Sequence, residues 1–120
     1  MKSKYIVGDL VVYTSLFKEP IAEICEIYEA SYLIKFMNGN FAKVTTEEIK
    51  PIPLTLEILE KNGWKKDDRG YSFRDIIFLN KDDFGGWAVG IGEDYILTIA
   101  SIYQLQHLLF GLNINHKMEV

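Results

Sequence analysis

The sequence predicts a two-part α+β protein: a small β-barrel over residues 1–54, and packed on it an antiparallel β-meander with two short helices over 55–120. Three observations lead there. The stretch Lys50-Pro51-Ile52-Pro53-Leu54-Thr55 removes two backbone donors at alternate positions and holds its neighbours extended, so neither a central strand nor a helix runs through it. Upstream, β-branched and aromatic runs are punctuated by Asn38-Gly39, the strongest short hairpin signal. Downstream, helical spacing appears twice, with strand-like segments between.

In the first part, Gly8-Asp9 is a turn pair leading into Leu10-Val11-Val12-Tyr13-Thr14, a first strand. Ile21 to Tyr28 carries isoleucine at every third position, which suits a helix starting at Pro20 almost as well as a strand. The strand is chosen because the next segment, Tyr32 to Met37, alternates and needs a partner. Asn40 to Thr45 returns from the Asn38-Gly39 turn, Thr46-Glu47-Glu48-Ile49 makes one helical turn that drops Ile49 into a core, and Lys50 to Pro53 is extended. Strand, strand, hairpin, short turn and last extended piece is the order of a small SH3-like or Tudor-like barrel, a fold that serves many functions. Pro51 and Pro53 are structural in this reading.

In the second part, Thr55 caps a helix over Leu56 to Asn62 that stops at Gly63. Trp64 to Asp67 and Tyr71 to Phe73 flank the turn Asp68-Arg69-Gly70. Ile76-Ile77-Phe78-Leu79 reads as a strand buried on both faces or nearly so, and Trp87 to Ile91 pairs with Tyr95 to Ile99 around Gly92-Glu93-Asp94. The final helix, Ser101 to Phe110, is capped by Ser101 and ends near Gly111. Its apolar arc takes in Ile102, Leu105, Leu108, Leu109 and Leu112, extended by Tyr103 and Phe110, leaving Gln104, His107 and Gly111 for water. So narrow a polar strip predicts a helix wedged between two surfaces, and makes self-association through residues 101–112 a further expectation. Gln106 projects inside the arc. An unpaired amide there would cost about 1–3 kcal/mol, so it should bond a nearby backbone edge, a structural role.

The 120 residues carry a formal charge of −4, which disfavours tight phosphate-backbone binding, since that affinity comes from Lys and Arg displacing counterions. The single Cys25 forms no internal disulfide and the N-terminus lacks a secretory pattern, so a reducing cytoplasm is expected. No apolar run approaches the roughly 20 residues of a membrane span.

Chemistry finds little to build on. One Cys and two His, His107 and His116, without a second ligand at helical spacing, predict no metal, and no cofactor is expected. Ser101, His107 and Asp94 have no nucleophile-elbow spacing, and Cys25 sits in an apolar strand where a thiol is inert packing; no catalytic residue is assigned and an enzyme is not expected. Gly85 to Gly92 fails as a phosphate loop because no helix follows. The remaining candidates are rings. Tyr13, Phe17, Tyr28, Tyr32 and Phe41 can form a partner-binding surface, with Lys35 and Lys43 adding charge beside it. The competing reading, which carries more weight, makes most of these rings core.

Taken together, Gly8-Asp9-Leu10-Val11, then Ile49-Lys50-Pro51-Ile52-Pro53-Leu54-Thr55 with Ile58 to Trp64, and finally Ile102-Tyr103-Gln104-Leu105-Gln106-His107-Leu108-Leu109-Phe110-Gly111-Leu112 resemble small uncharacterised proteins encoded in phages and integrated mobile elements of gut bacteroidetes. The chain departs from that group's usual pattern at Asp9 and His107, where Asn is usual, and at Leu109, where Tyr is usual. The resemblance implies a bacterial cytoplasm and an accessory role in phage or mobile-element biology, and brings no known activity. The expectation is a non-catalytic adaptor whose partner is another protein, with nucleic-acid binding through the barrel as the second reading.

Overall fold

The computed structural model describes residues 4–15, 20–68 and 70–120. Among the described residues, ten strands, two α-helices and one 3-10 turn form two compact units: Met1–Ile52 with Ile102–Lys117, and Pro53–Ser101 with Met118–Val120. The protein is mostly-β α+β, with two five-stranded antiparallel sheets.

The first sheet holds β1 (Leu10–Tyr13), β2 (Ile21–Ile27), β3 (Tyr32–Phe36), β4 (Phe41–Val44) and β5 (Ile49–Pro51) in the order β4-β3-β2-β1-β5. Ile21 to Ile27 is a strand, paired on both sides, and not a helix. Asn38-Gly39 makes the β3–β4 turn, with Gly39 at φ +92° where a side chain would be strained. Thr46–Glu48 is the 3-10 turn, its Glu48 carboxylate accepting from Thr45 N at 2.9 Å, and Ile49 follows it into the core.

Cross-strand pairs fix the faces. Val11↔Ala22, Ala22↔Phe36, Ile24↔Ile34 and Tyr32↔Val44 all point one way, where they pack with Tyr5, Ile49 and Tyr103. Burial pushes the Tyr5 phenol up to about 12. The barrel expected from the strand order does not close: β4 and β5 are the two edges, and no ladder joins them among the described residues. Both are short, and β5 ends on Pro51, which has no donor and is tolerated because β5 is an edge.

α2 (Ile102–Gly111) belongs to this first unit and buries Ile102, Leu105, Gln106 and Leu109. Its apolar face is narrower than the spacing predicts, since Phe110 is 60% exposed and Leu112 is exposed as well. Asn113, at φ +59°, supplies the left-handed residue that ends it. Asn113 N donates to Phe110 O and Ile114 N to Leu109 O, a Schellman closure that ends the helix near Gly111, as the sequence predicts.

The second sheet is a pure meander, β10-β9-β8-β7-β6, built from β6 (Lys65–Asp67), β7 (Gly70–Phe73), β8 (Ile77–Lys81), β9 (Trp87–Ile91) and β10 (Asp94–Ile99). α1 (Leu56–Lys61) precedes it, its N–H of Ile58 donating to the Thr55 hydroxyl at 3.3 Å. Pro53 bridges Ser101 and Trp87 donates its indole N–H to Leu54 O at 3.1 Å, which fixes the proline joint to this unit's core of Leu59, Trp64, Tyr71, Leu79 and Val89.

β8 is buried on one face and not on both: Ile77 and Leu79 point inward, Phe78 is half-buried, and Ile76 is exposed. Ile76 is a turn residue. Its N–H donates to Phe73 O across Arg74 and Asp75, both at φ +55°, which is a type I′ turn made by residues that disfavour it. Each non-glycine residue held there costs roughly 1–2 kcal/mol. Asp75→Gly should therefore stabilise the protein by about 1 kcal/mol, raising the urea midpoint at unchanged slope. A midpoint that falls would contradict the turn assignment.

Candidate functional site

The β3–β4 hairpin raises two apolar side chains, Met37 at 68% and Phe41 at 57% exposure. Its turn is held by Asn40 N donating to the Asn38 side chain at 3.0 Å and by Phe36 N donating to Asn40 O at 2.8 Å. Between this hairpin and the start of β2 lies an open cavity of about 600 Å³, walled by Pro20, Ile21, Phe36, Met37 and Phe41, with Asn38 and Asn40 at its polar side. Tyr13 backs Phe36 edge-on, ring centroids 5.6 Å apart.

The structure sorts the ring candidates by strand face. Lys35↔Phe41 and Leu33↔Lys43 lie on the face opposite the core. There the Lys35 ammonium stands 5.8 Å from the Phe41 ring and the Lys43 ammonium 4.8 Å from the Tyr28 ring, both rings exposed. The Tyr28 hydroxyl donates to Glu26. Tyr32 is not a surface ring: it is 5% exposed and packs edge-on against Tyr5 at 5.8 Å, because it shares the core face with Ile34. Tyr13 is half-buried behind Phe36. Phe17 lies outside the described residues. Sequence reasoning missed Met37 and Phe36, although both flank the Asn-Gly turn it identified.

A second polar assembly sits at the start of β1. Gln106 accepts from Leu10 N at 2.9 Å and donates to Gly8 O at 2.9 Å and to His116 O at 3.0 Å. Beside it, Asp9 is fully buried, and its Oδ2 accepts from Ile6 N at 2.8 Å and meets His107 Nε2 at 2.7 Å. Its Oδ1 is buried without a hydrogen-bond partner among the described residues. Burial holds the Asp9 carboxyl above the usual aspartate range, against the hydrogen bonds from Ile6 and His107 that pull it down. The acid beside His107 is thus Asp9, 98 residues away, and not the Asp94 considered from spacing.

Cys25 lies within β2, as expected, and is not activated. It is the extra residue of a β-bulge between Ile24 and Glu26, half-buried, its thiol donating to Glu23 O at 3.7 Å, and burial pushes the thiol up, away from the thiolate a nucleophile needs. Among the described residues no three His, Cys, Asp or Glu side chains gather as a metal site, and no helix is long and apolar enough to cross a membrane. No protein-family model matches the chain, no curated protein matches its sequence, and no solved structure matches its fold.

Two measurements test the polar assembly. Gln106→Leu leaves Leu10 N, Gly8 O and His116 O without their partner, and the protein should lose about 3 kcal/mol of stability. An unchanged melting temperature would show the amide to be dispensable. For Asp9 the sign follows from the raised carboxyl: the folded state holds its proton to higher pH than the unfolded one, so this group's contribution falls as pH rises through the folded midpoint. On acidification from neutral pH toward the ordinary aspartate range, wild type should gain stability relative to Asp9→Asn; a difference that stays flat in urea titrations over that interval contradicts the burial argument.

Proposed function

We propose that this protein is a non-catalytic binding module that docks another protein, in the accessory role the family resemblance implies, and that the hairpin cavity of the first sheet is where it does so. The observation that carries this reading is the pairing of an open apolar cavity of about 600 Å³ with two exposed apolar side chains, Met37 and Phe41, on one rigid hairpin. The strand order and the 3-10 turn before β5 support an SH3-like ancestry for the unit, a fold that commonly binds through loops at its sheet ends. Lys35, whose ammonium stands beside the Phe41 ring at the cavity, with Lys43 on the same face, favours a partner segment that carries a carboxylate next to its apolar anchor.

The same lysines favour nucleic acid as the second reading, and Glu23, paired with Lys35 on that face, together with Glu26, opposes it. A photo-crosslinker at Met37 distinguishes the two. The reading predicts crosslinks to protein that survive nuclease and moderate salt, and that fall at least tenfold with Phe41→Asp. Crosslinks to nucleic acid that vanish as salt is raised and with Lys35→Glu plus Lys43→Glu would replace it with the second reading. Protein crosslinks indifferent to Phe41→Asp would overturn it.

A further inference from the structure

The hairpin between β8 and β9 holds a bare aromatic ring out from the second sheet. Phe84, at its tip, is 96% exposed, the most of any large apolar side chain among the described residues. The turn beneath the ring is fixed by main-chain bonds and one carboxylate. Asp82 N donates to Gly86 O at 3.0 Å, and Asp82 Oδ1 accepts from Phe84 N at 2.9 Å and from Gly86 N at 2.8 Å. Gly85 supplies the left-handed residue at φ +86°, and a Cβ there would meet nothing within 4 Å, so that side of the tip is open.

None of these bonds needs a ring at position 84. A single exposed apolar residue is ordinary on a protein surface, and what sets this one apart is how it is presented and what lies beside it. Its main chain is already fixed, so little freedom is left to lose on docking. Asp83, exposed next to it, is the carboxylate that reaches solvent, since Asp82 is half-buried and spent on the turn. Lys81, the nearest cation in sequence, lies over its own Trp87 ring at 5.9 Å. The chain therefore carries, on a preformed turn, an acid next to an apolar anchor. That is the chemistry suited to the hairpin cavity of the first sheet. The cavity offers about 600 Å³ beside Phe36, Met37 and Phe41, ample for one ring, and the Lys35 ammonium stands 5.8 Å from the Phe41 ring.

We propose that the partner docked at the hairpin cavity is a second copy of this chain, whose Phe84 enters beside Phe41 while its Asp83 meets Lys35. The inference rests on the docking reading above and names its partner. Ring meets ring in the cavity, and carboxylate meets ammonium at its edge. The contact is head-to-tail, because anchor and cavity are different surfaces of the same chain. Each assembly then keeps one unused ring and one unused cavity, and growth stops only where the copies close into a ring. With one aromatic anchor the interface belongs to the small, reversible class. A nucleic acid or an anionic membrane would meet Asp83 first, which disfavours Phe84 as a wedge into either.

The test is sedimentation of the purified full-length protein from about 10 µM to about 1 mM, the range in which weak contacts appear. Wild type should pass from monomer to larger species as concentration rises. Phe84→Ser and Phe41→Asp should each stay monomeric, and since both residues are exposed, both variants should keep a dispersed amide spectrum. Met37→Asp replaces Phe41→Asp if that variant unfolds. The mixture of the two variants is the sharpest sample. One keeps its ring and the other its cavity, so an equimolar mixture should form a one-to-one dimer and nothing larger. Asp83→Lys or Lys35→Glu alone should weaken association roughly threefold or more at low salt, and the two together in one chain should restore it. A wild type that stays monomeric throughout, association indifferent to Phe84→Ser or to Phe41→Asp, or a mixture that forms no dimer would overturn the inference. The docking reading is judged separately, by the Met37 crosslinks to other proteins and their loss with Phe41→Asp.

Discussion

The carboxamide of Gln106 uses its oxygen and its amide hydrogens against three backbone groups that have no ladder of their own. The reason they need it lies in β5. Its pairing with β1 ends at Val11↔Pro51, so the N–H of Leu10 falls beyond the last rung. The next carbonyl along, Ile52 O, already accepts from Ile102 N at 2.8 Å. A helix therefore takes over where the edge strand stops, and one side chain from its second turn completes the ladder. The third bond, to His116 O, returns the tail after the Asn113 closure to the same point. Strand start, helix and tail are joined by a residue that a purely apolar helix face would lack.

Asp9 shows what that junction tolerates. An amide so placed satisfies every polar atom, whereas the neighbouring carboxylate satisfies one oxygen twice and leaves the other buried without a partner among the described residues. Burying an under-paired carboxylate opposes folding, and the nearby His107 imidazole offsets this only in part. Gln106 and Asp9 flank each other, so the stable junction carries the unfavourable one. Removal of the amide would expose the carboxylate problem as well, and the two sites should not act additively.

Much of the fold was legible because its signals are local. Asn38-Gly39, the alternation of Tyr32 to Phe36, the cap at Thr55 and the two prolines each act within a few residues, and each marks an element the structure contains. Gln106 was legible for a different reason: a lone amide in an apolar arc has to find backbone. What stayed hidden was long-range or disguised. The Arg74-Asp75 turn contains neither Gly nor Asn, so Ile76 read as strand. Tyr32 and Phe41 look alike as aromatic strand residues, and only the register that puts one across from Val44 and the other across from Lys35 separates core from surface. The Asp9–His107 contact spans nearly the whole chain and left no spacing to find.

Charge illustrates the same limit, and it bears most directly on function. A formal charge of −4 describes the whole chain, yet at physiological salt a fixed charge is felt over about 8 Å. What a partner meets is the arrangement on one face. On the outer face of the first sheet, Lys35 is paired across β2–β3 with Glu23, and Glu26 is paired with Leu33, so each lysine has an acid close by. A polyanionic backbone would have to approach those acids to reach the lysines. A short segment with one carboxylate can reach a single lysine while its apolar neighbour enters the cavity beside Phe41.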